Sequence, residues 1–368
     1  MNKYQFSEAD SPIIEFITTK LNDNLTEWFG TQYGLTLMAP VFLTYNNCFM
    51  LRFPLGGKNG AEKNILVKIR RHPKMQSLHQ AVSRTELHSK IPAEYNDLEL
   101  LYKFYRDYNR DLGAIRPLMY MDKYYAIVME EFKSQTLREI LMDWKTILGL
   151  KDNSNQLLNA ARLTGQWLKS FHSQLHNYHE IENPTQPILN EVLTLMARLK
   201  AASRQQDPIS LQTEFLQTIS SIQSKTIPYT NNHGDMTCDN VLYSKENKVC
   251  VIDVKTRPGP IYSDLGLIMI HPDTFMLQIF SFGLLFRRKN IQAYRAEILK
   301  GYFGDQIMDG TLINLYCAIK MLDKWVMYEE IIFKSKGWKK PLSVFAAPIL
   351  RTYFKTRIKK YLDSKSNL

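Results

Sequence analysis

The spacing of apolar residues changes along the chain and divides it into two parts. In the first part, short apolar runs at 48–53, 65–70 and 124–132 are typical of β-strands. Later, apolar residues at helical spacing predict helices over 157–176, 191–200 and 212–222. With 368 residues, the chain is long enough for two domains. The pattern predicts an α+β protein, with a sheet in its N-terminal part and helices in most of the remainder.

The polar stretch 233–240 carries the residues most suggestive of chemistry. Asp235 and Asn240 lie five residues apart in a loop that runs into an apolar strand at 241–243. After a polar turn, a second apolar run at 249–252 ends at Asp253. The predicted hairpin brings Asn240 and Asp253 together beside Asp235. Phosphoryl transfer from a nucleotide needs such a set, with one carboxylate facing the acceptor and a carboxylate and an amide holding magnesium.

A structural role is the alternative for these side chains, because Asp and Asn in loops often hydrogen-bond their own backbone. Asp253 fits this alternative least well. It directly follows a buried strand, where a carboxylate must be paired or bind a cation.

Three pieces of sequence together resemble the aminoglycoside phosphotransferase and choline kinase family, which has a protein-kinase-like fold. They are His233-Gly234-Asp235 with Asn240, the pair Ile252-Asp253, and the segment 259–266, which contains Asp264-Leu265. The resemblance implies that Asp235 is the catalytic base, that Asn240 and Asp253 bind Mg²⁺, and that Asp264 anchors the loop. His233 is expected to brace the loop by hydrogen bonding.

A second half of the site is expected upstream, on the strand at 65–70. Lys68 stands among branched apolar residues and needs an anionic partner, which nucleotide phosphates would supply. Glu94, on the next predicted helix, occupies the setting of the family's lysine-pairing glutamate, with Glu86 and Glu99 as alternatives. A lysine on an edge strand that keeps the sheet soluble is the other interpretation of Lys68. No glycine-rich phosphate loop is visible at 43–48, which favours this family over protein kinases.

The strand at 124–132 runs into a connector, and the resemblance to a kinase-like fold implies that this connector meets the adenine ring through Met129, Glu130 and Phe132. The alternative is an ordinary connection between a strand and a helix. The predicted boundary therefore divides the chain into an N-terminal nucleotide-binding lobe, 1–132, and a helical C-terminal lobe, 133–368. A helix is expected to begin after Ser134 or Thr136, either of which can cap it.

Positive charge is concentrated at the C-terminus. The chain has a net charge of +11, and the segment 334–368 contains ten Lys or Arg against one acid. Apolar residues from 349 onward fall on one side of a predicted basic amphipathic helix, which would either pack on the C-terminal lobe or lie on an anionic membrane. Nucleic acid is an unfavoured partner, because no recognition motif appears outside this tail.

The expected function is transfer of the γ-phosphate of ATP, with Mg²⁺, to a hydroxyl of a small molecule. The acceptor would be a sugar, amino sugar or amino alcohol, including an envelope or lipid-linked saccharide. The alternatives are a nucleotide-binding pseudokinase or scaffold and a kinase acting on protein. No secretory signal, long apolar span or paired cysteine spacing occurs, so we expect a cytoplasmic protein, with peripheral contact at the inner membrane surface if the tail binds lipid.

Overall fold

A computed structural model describes residues 7–31, 34–45, 47–57, 63–84, 89, 91–143, 147, 154–174, 179–203, 209–286, 288–334 and 339–363. The chain divides into two compact units, Met1–Lys133 and Ser134–Leu368.

The first unit is built on an antiparallel sheet. Its elements are α1 (Ser11–Phe29), β1 (Thr36–Leu37), β2 (Val41–Thr44), β3 (Cys48–Gly56), β4 (Lys63–Arg70), α2 (Leu78–Val82), α3 (Ile91–Tyr108), β5 (Leu112–Gly113), β6 (Pro117–Met121) and β7 (Ala126–Glu130). The six-stranded sheet has the order β1-β3-β4-β7-β6, and β2 also pairs with β3. The strand predicted at 124–132 is shorter than expected. It covers Ala126–Glu130, because Asp122–Tyr124 form a 3₁₀ turn before it. The structure places β4, with Lys68, in the middle of the sheet.

Helix α1 supplies much of the core of the first unit. Its residues Ile13, Ile17, Leu21 and Leu25 recur every four positions and are buried with apolar side chains of β3 and β4. Such a stripe covers one face of a sheet. Helix α3 contacts β6 and β7 of the same unit. These contacts hold α3 in place on the sheet, and Glu94 lies in the first turn of this helix.

The second unit is mostly helical, as the sequence predicts. Its elements are β8 (Gln135–Thr136), α4 (Leu137–Leu141), α5 (Ser154–Gln174), β9 (His179–Glu182), α6 (Thr185–Ser203), α7 (Ile209–Ser220), β10 (Thr226–Asn232), β11 (Val241–Tyr243), β12 (Val249–Val251), β13 (Arg257–Pro260), α8 (Ile261–Ile270), α9 (Met276–Phe280), α10 (Arg288–Phe303), α11 (Gly310–Lys334) and α12 (Lys339–Leu362). Thr136 caps α4 in the expected capping box with Glu139, with hydrogen bonds of 3.1 and 2.8 Å.

Two small groups of strands hold the polar loop at 233–240. Strand β10 lies between β9 and β13 and leads into the loop, while β11 pairs with β8 and with β12 after it. The predicted hairpin is confirmed, with Val241 opposite Val251 and Tyr243 opposite Val249. The α+β architecture expected from the sequence, an antiparallel sheet with a helix followed by a mainly helical part, is confirmed.

The C-terminal helix packs against its own unit. Within α12, Leu350, Tyr353, Phe354, Ile358 and Tyr361 are buried, and α12 contacts α11. Arg351 forms two hydrogen bonds, of 2.6 and 2.9 Å, with the buried carboxylate of Glu329. The apolar side that would enter a membrane is therefore covered by protein while the helix is docked.

Membrane contact by the basic tail stays a prediction, and residues 335–338 and 364–368 of that tail lie outside the described part. None of the helices within the described ranges is long and apolar enough to cross a bilayer.

Candidate active site

The loop and the hairpin after it bring the predicted magnesium ligands to one place. The amide of Ile252 donates to the carbonyl oxygen of Asn240 at 2.9 Å, so Asp253 follows the residue bonded to Asn240. The side-chain Nδ2 of Asn240 donates to the carbonyl oxygen of Asp235 at 2.8 Å. This bond turns the Asn240 amide so that Oδ1 is the atom it would offer to a ligand.

Gly234 allows the tight turn before Asp235. Its φ of 79° lies in the left-handed region, and a Cβ there would stand 2.7 Å from the carbonyl oxygen of Lys255. Only glycine meets both conditions without strain. Asp253 also has a left-handed φ, of 56°. Strained backbone at a polar residue is frequent at functional sites.

His233 braces the loop, as predicted. The Asp235 amide donates to its Nδ1 at 3.2 Å, so the proton lies on Nε2, which donates to the Ile252 carbonyl at 3.0 Å. Burial lowers the pKa of His233 below 6.5, although Asp264 acts in the opposite direction. The ring is thus held neutral, in one tautomer, across the hairpin.

Asp264 anchors the loop from the first turn of α8. Its Oδ2 accepts the His233 amide at 2.6 Å, and its Oδ1 accepts the Gly234 amide at 3.1 Å. His172 Nε2 bonds to Oδ2 at 3.1 Å, while its Nδ1 lies 2.9 Å from the hydroxyl of Tyr302. Burial alone would raise the pKa of Asp264, but the bond from His172 and the further donors bring it below 3.8. The carboxylate therefore stays ionised.

The sequence favours core packing as the role of His172, and the structure adds a second role. His172 is buried, but its two ring nitrogens connect Asp264 to Tyr302. It is a positioning residue for the loop anchor.

Lys255 is a site residue that the sequence interpretation misses. Its Nζ lies 2.5 Å from Asp235 Oδ2, and its amide donates to the His233 carbonyl at 2.8 Å. The side chains of both residues are about one-third or more exposed, so the pair faces solvent. Its position two residues after Asp253 is the only hint the sequence offers. A cation at this position would stabilise negative charge that develops near Asp235.

The donors near Asp253 suit Mg²⁺. This ion keeps several waters and is commonly held by one or two carboxylates together with substrate phosphates. Asn240 Oδ1 and the Asp253 carboxylate supply oxygen of the required kind. No cluster of three or more His, Cys, Asp or Glu side chains suited to a metal occurs among the residues that the structure describes.

In the first unit, Lys68 and Glu94 form the predicted pair. Lys68 Nζ lies 3.0 Å from Glu94 Oε1, and both side chains are largely buried. Of the alternatives, Glu99 bonds to Tyr95 at 3.3 Å, and Glu86 lies outside the described residues. Because β4 is central, the edge-strand interpretation of Lys68 is wrong.

Arg70 joins this pair and is also missed by the sequence interpretation. Its Nε and Nη2 lie 2.9 and 2.7 Å from Glu94 Oε2. Residues 68 and 70 share one face of a strand, which is the signal that could have revealed it. The Glu94 carboxylate is therefore held by two cations, Lys68 and Arg70.

The three residues of the predicted adenine contact lie at the end of β7. Met129 is buried, and the Glu130 carboxylate lies 3.4 Å from Lys63 and 3.3 Å from Arg116. The Glu130 amide already donates to the Arg116 carbonyl at 3.0 Å. Phe132 follows the strand. Their contact with a base stays a prediction. The sequence assigns no phosphate contact to the turn after β2, where Asn46 lies outside the described residues.

A cavity of about 490 Å³ opens beside Asp235, entirely within the second unit. Its walls come from the loop, β10, β13, α6, α8 and α11. Helix α6, before the loop, and helix α11, after Asp264, both contribute to this lining. Its volume lies in the range of small-molecule sites.

Cys238, inside the loop, is not a reactive thiol. It is fully buried, and burial raises its pKa to about 12. A thiol reagent is therefore not expected to modify it, since the thiolate is the nucleophile.

Comparison with known proteins gives structural neighbours only, since no protein-family model and no curated protein sequence matches the chain. A choline kinase from Streptococcus pneumoniae is 11% identical with a TM-score of 0.48, over 93% of this chain and 99% of that one. A spectinomycin phosphotransferase is 15% identical with a TM-score of 0.44, over 91% and 98%. A macrolide 2'-phosphotransferase from Brachybacterium faecium is 10% identical with a TM-score of 0.49, over 95% and 99%. The family named from the sequence motifs is thus represented among the solved structures that this chain resembles.

Proposed function

We propose that this protein transfers the γ-phosphate of ATP to a hydroxyl group of a small molecule bound in the cavity beside Asp235. The observation that carries the proposal is the fixed position of Asp235, which lines the cavity on a loop held by Asp264, His233 and Asn240. Phosphoryl transfer depends mainly on positioning and charge, and this loop provides both.

Asp235 would orient the acceptor hydroxyl and take its proton as the bond to phosphorus forms. Lys255, paired with Asp235 at 2.5 Å, would move toward the transferred group as that proton neutralises the carboxylate. In this role it would stabilise negative charge on the phosphoryl oxygens.

Asn240 Oδ1 and Asp253 would hold Mg²⁺, which neutralises phosphate charge when it is bound. Lys68 would contact the phosphates of the donor nucleotide, with Glu94 fixing its Nζ and Arg70 adding charge. Met129, Glu130 and Phe132 are proposed to receive the adenine ring.

The test is ADP release by the purified protein with Mg-ATP and a panel of hydroxyl compounds. Asp235→Asn should lower kcat at least about a hundredfold, the range of a lost general base, while leaving nucleotide binding nearly intact. Asp305→Asn, an exposed carboxylate of the same unit, is the matched control and should leave turnover unchanged. Turnover close to that of wild type in Asp235→Asn, or loss of activity explained by loss of nucleotide binding, would contradict the proposed role.

A further inference from the structure

We propose that helix α9 and the turn after it dock this protein on an anionic lipid surface. This segment carries five large apolar side chains that are exposed to solvent, and it is called the apolar turn below. The five are Met276, Leu277, Phe280, Phe282 and Leu284. None of them lines the cavity beside Asp235, so the inference does not depend on the proposed phosphoryl transfer.

Three of these side chains share one face of α9. Met276, Leu277 and Phe280 are spaced as neighbours on one side of a helix, whereas Gln278 and Ile279 on the other side are buried. The remaining two follow within four residues of the helix end, so all five lie close together. Contiguous exposed apolar surface on a folded protein is typical of a site where a partner or a membrane binds.

Hydrogen bonds hold the turn in shape. The amide of Gly283 donates to the carbonyl oxygen of Gln278 at 2.8 Å, and the amide of Phe286 donates to Oε1 of Gln278 at 3.1 Å. The amide of Leu285 donates to Ser281 Oγ at 3.0 Å. These bonds close the turn on the buried Gln278 side chain, so the exposed apolar side chains stand on a hydrogen-bonded backbone.

Phe282 has a backbone conformation that a bulky residue rarely adopts. Its φ is 53°, in the left-handed region, and the φ of the adjacent Gly283 is 87°. This conformation is strained for an aromatic residue. Packing inside the protein does not offset the strain, because Phe282 is 54% exposed. Contact of the ring with an apolar phase outside the protein would offset it.

Positive charge lies beside the apolar turn. The sequence Arg287-Arg288-Lys289 follows it directly, and no acidic residue occurs from 274 to 296. Helix α12 contacts α9, and a Cβ at Gly283 would collide with the guanidinium group of Arg357 on α12. Apolar side chains bordered by Lys and Arg are the combination that binds the interface of an anionic bilayer.

Acidic residues near this surface already have cationic partners. Asp273, the last acid before the turn, is buried and lies 2.6 Å from Arg295. Helix α12 has seven Lys or Arg and no acid, and two of these cations, Arg351 and Lys359, pair with acids of α11 and α7. The surface around the apolar turn therefore keeps a positive charge.

A lipid surface fits these features better than a second copy of the chain. A two-fold symmetric contact through the apolar turn would place its cations against the same cations of the other copy. An anionic bilayer instead accepts the apolar side chains and places phosphates beside Lys and Arg. The turn is also exposed while α12 is docked, so this contact requires no detachment of that helix.

The first experiment measures sedimentation of the full chain with vesicles of phosphatidylcholine alone or of equal parts phosphatidylcholine and phosphatidylglycerol. Wild type should bind the anionic vesicles at least about tenfold more tightly than the neutral ones, and added NaCl should weaken this binding. Phe282→Asn combined with Leu284→Ser should lower the affinity for anionic vesicles at least about tenfold. Asn tolerates a left-handed φ, so the variant should keep the wild-type circular dichroism spectrum.

A matched control removes exposed apolar residues of the second unit outside the turn. Ile307 and Met308 are both exposed, and Ile307→Ser combined with Met308→Ser should bind anionic vesicles as wild type does. The charge is tested on α10. Lys289→Gln should lower the affinity for anionic vesicles about fivefold, whereas Lys300→Gln, at an exposed position later in the same helix, should leave it unchanged.

A second experiment locates the contact. All four native cysteines are buried, so the thiol introduced by Leu284→Cys can be labelled selectively with a polarity-sensitive dye. Leu284 is 84% exposed, so the dye should report water in the free protein and an apolar environment on anionic vesicles. The same dye attached through Ile307→Cys should report no change.

Three results would overturn the inference. They are absence of wild-type binding to anionic vesicles, wild-type affinity in the Phe282→Asn and Leu284→Ser double variant, and an unchanged dye signal at position 284 on vesicles. Self-association of wild type that the double variant loses, without vesicle binding by either, would assign the apolar turn to a contact between copies and would also overturn it.

Discussion

Removing the Asp264 carboxylate should both destabilise the second unit and disable the loop. In Asp264→Ala, the amides of His233 and Gly234 and the ring of His172 lose their common acceptor, at present 2.6, 3.1 and 3.1 Å away. A buried donor left unpaired costs about 1–3 kcal/mol. The variant also no longer has to bury a charged carboxylate, which offsets part of the free energy lost with these three hydrogen bonds. We expect a net loss of about 3–5 kcal/mol, the range for breaking a buried charged network.

The assay is urea unfolding followed by far-UV circular dichroism, with ADP release measured on the same samples. Asp264→Asn keeps one acceptor oxygen and should lose less stability than Asp264→Ala, while both variants lose most turnover. Asp305→Ala, at an exposed position, should lie within about 0.5 kcal/mol of wild type. Wild-type stability and turnover in Asp264→Ala would refute the view that this carboxylate holds the loop.

Three other predictions concern single side chains. The pKa of His233 in the folded state is below 6.5, so below about pH 6.5 the unfolded chain binds more protons and the free energy of unfolding should fall as the pH drops. In His233→Asn, the free energy of unfolding should depend less steeply on pH. An unchanged slope would argue against a buried neutral ring. Lys255→Met should lower kcat about tenfold to a hundredfold with little change in KM for ATP, and an effect on KM alone would assign Lys255 to binding. If α12 is docked, Phe354→Ala should lower the free energy of unfolding by about 3–5 kcal/mol, as measured by thermal unfolding. The control Thr352→Ala, at an exposed position, should change it hardly at all. Equal stability of the two variants would mean that the helix is detached.

Local sequence signals predict the catalytic hairpin well. Turn residues at 244–248 between two short apolar runs specify it, and the position of Asp253 just after β12, which ends at Val251, follows from the pattern alone. The Lys68–Glu94 pair needs the family resemblance as well, because a lysine in a buried strand requires only some anionic partner, and the resemblance favours Glu94 over Glu86 and Glu99.

Contacts between residues distant in sequence are not predictable in this way. The bond of His172 to Asp264 joins positions 92 residues apart, and helical spacing alone marks His172 as a core residue. Arg257 and Lys324 meet the cavity from β13 and α11, and each has the sequence context of an ordinary solvated charge. Burial of the apolar side of α12 likewise depends on tertiary packing, since the same amphipathic pattern suits a membrane surface.

The most direct test of the central claim follows the γ-phosphate itself. The protein is incubated with Mg²⁺, ATP labelled in its γ-phosphate and pooled hydroxyl compounds, and the products are separated and identified by mass spectrometry. We predict label on a hydroxyl of at least one compound with wild-type protein, and at least about a hundredfold less with Asp235→Asn. Absence of labelled acceptor with protein that binds Mg-ATP, or equal labelling by Asp235→Asn, would contradict the account.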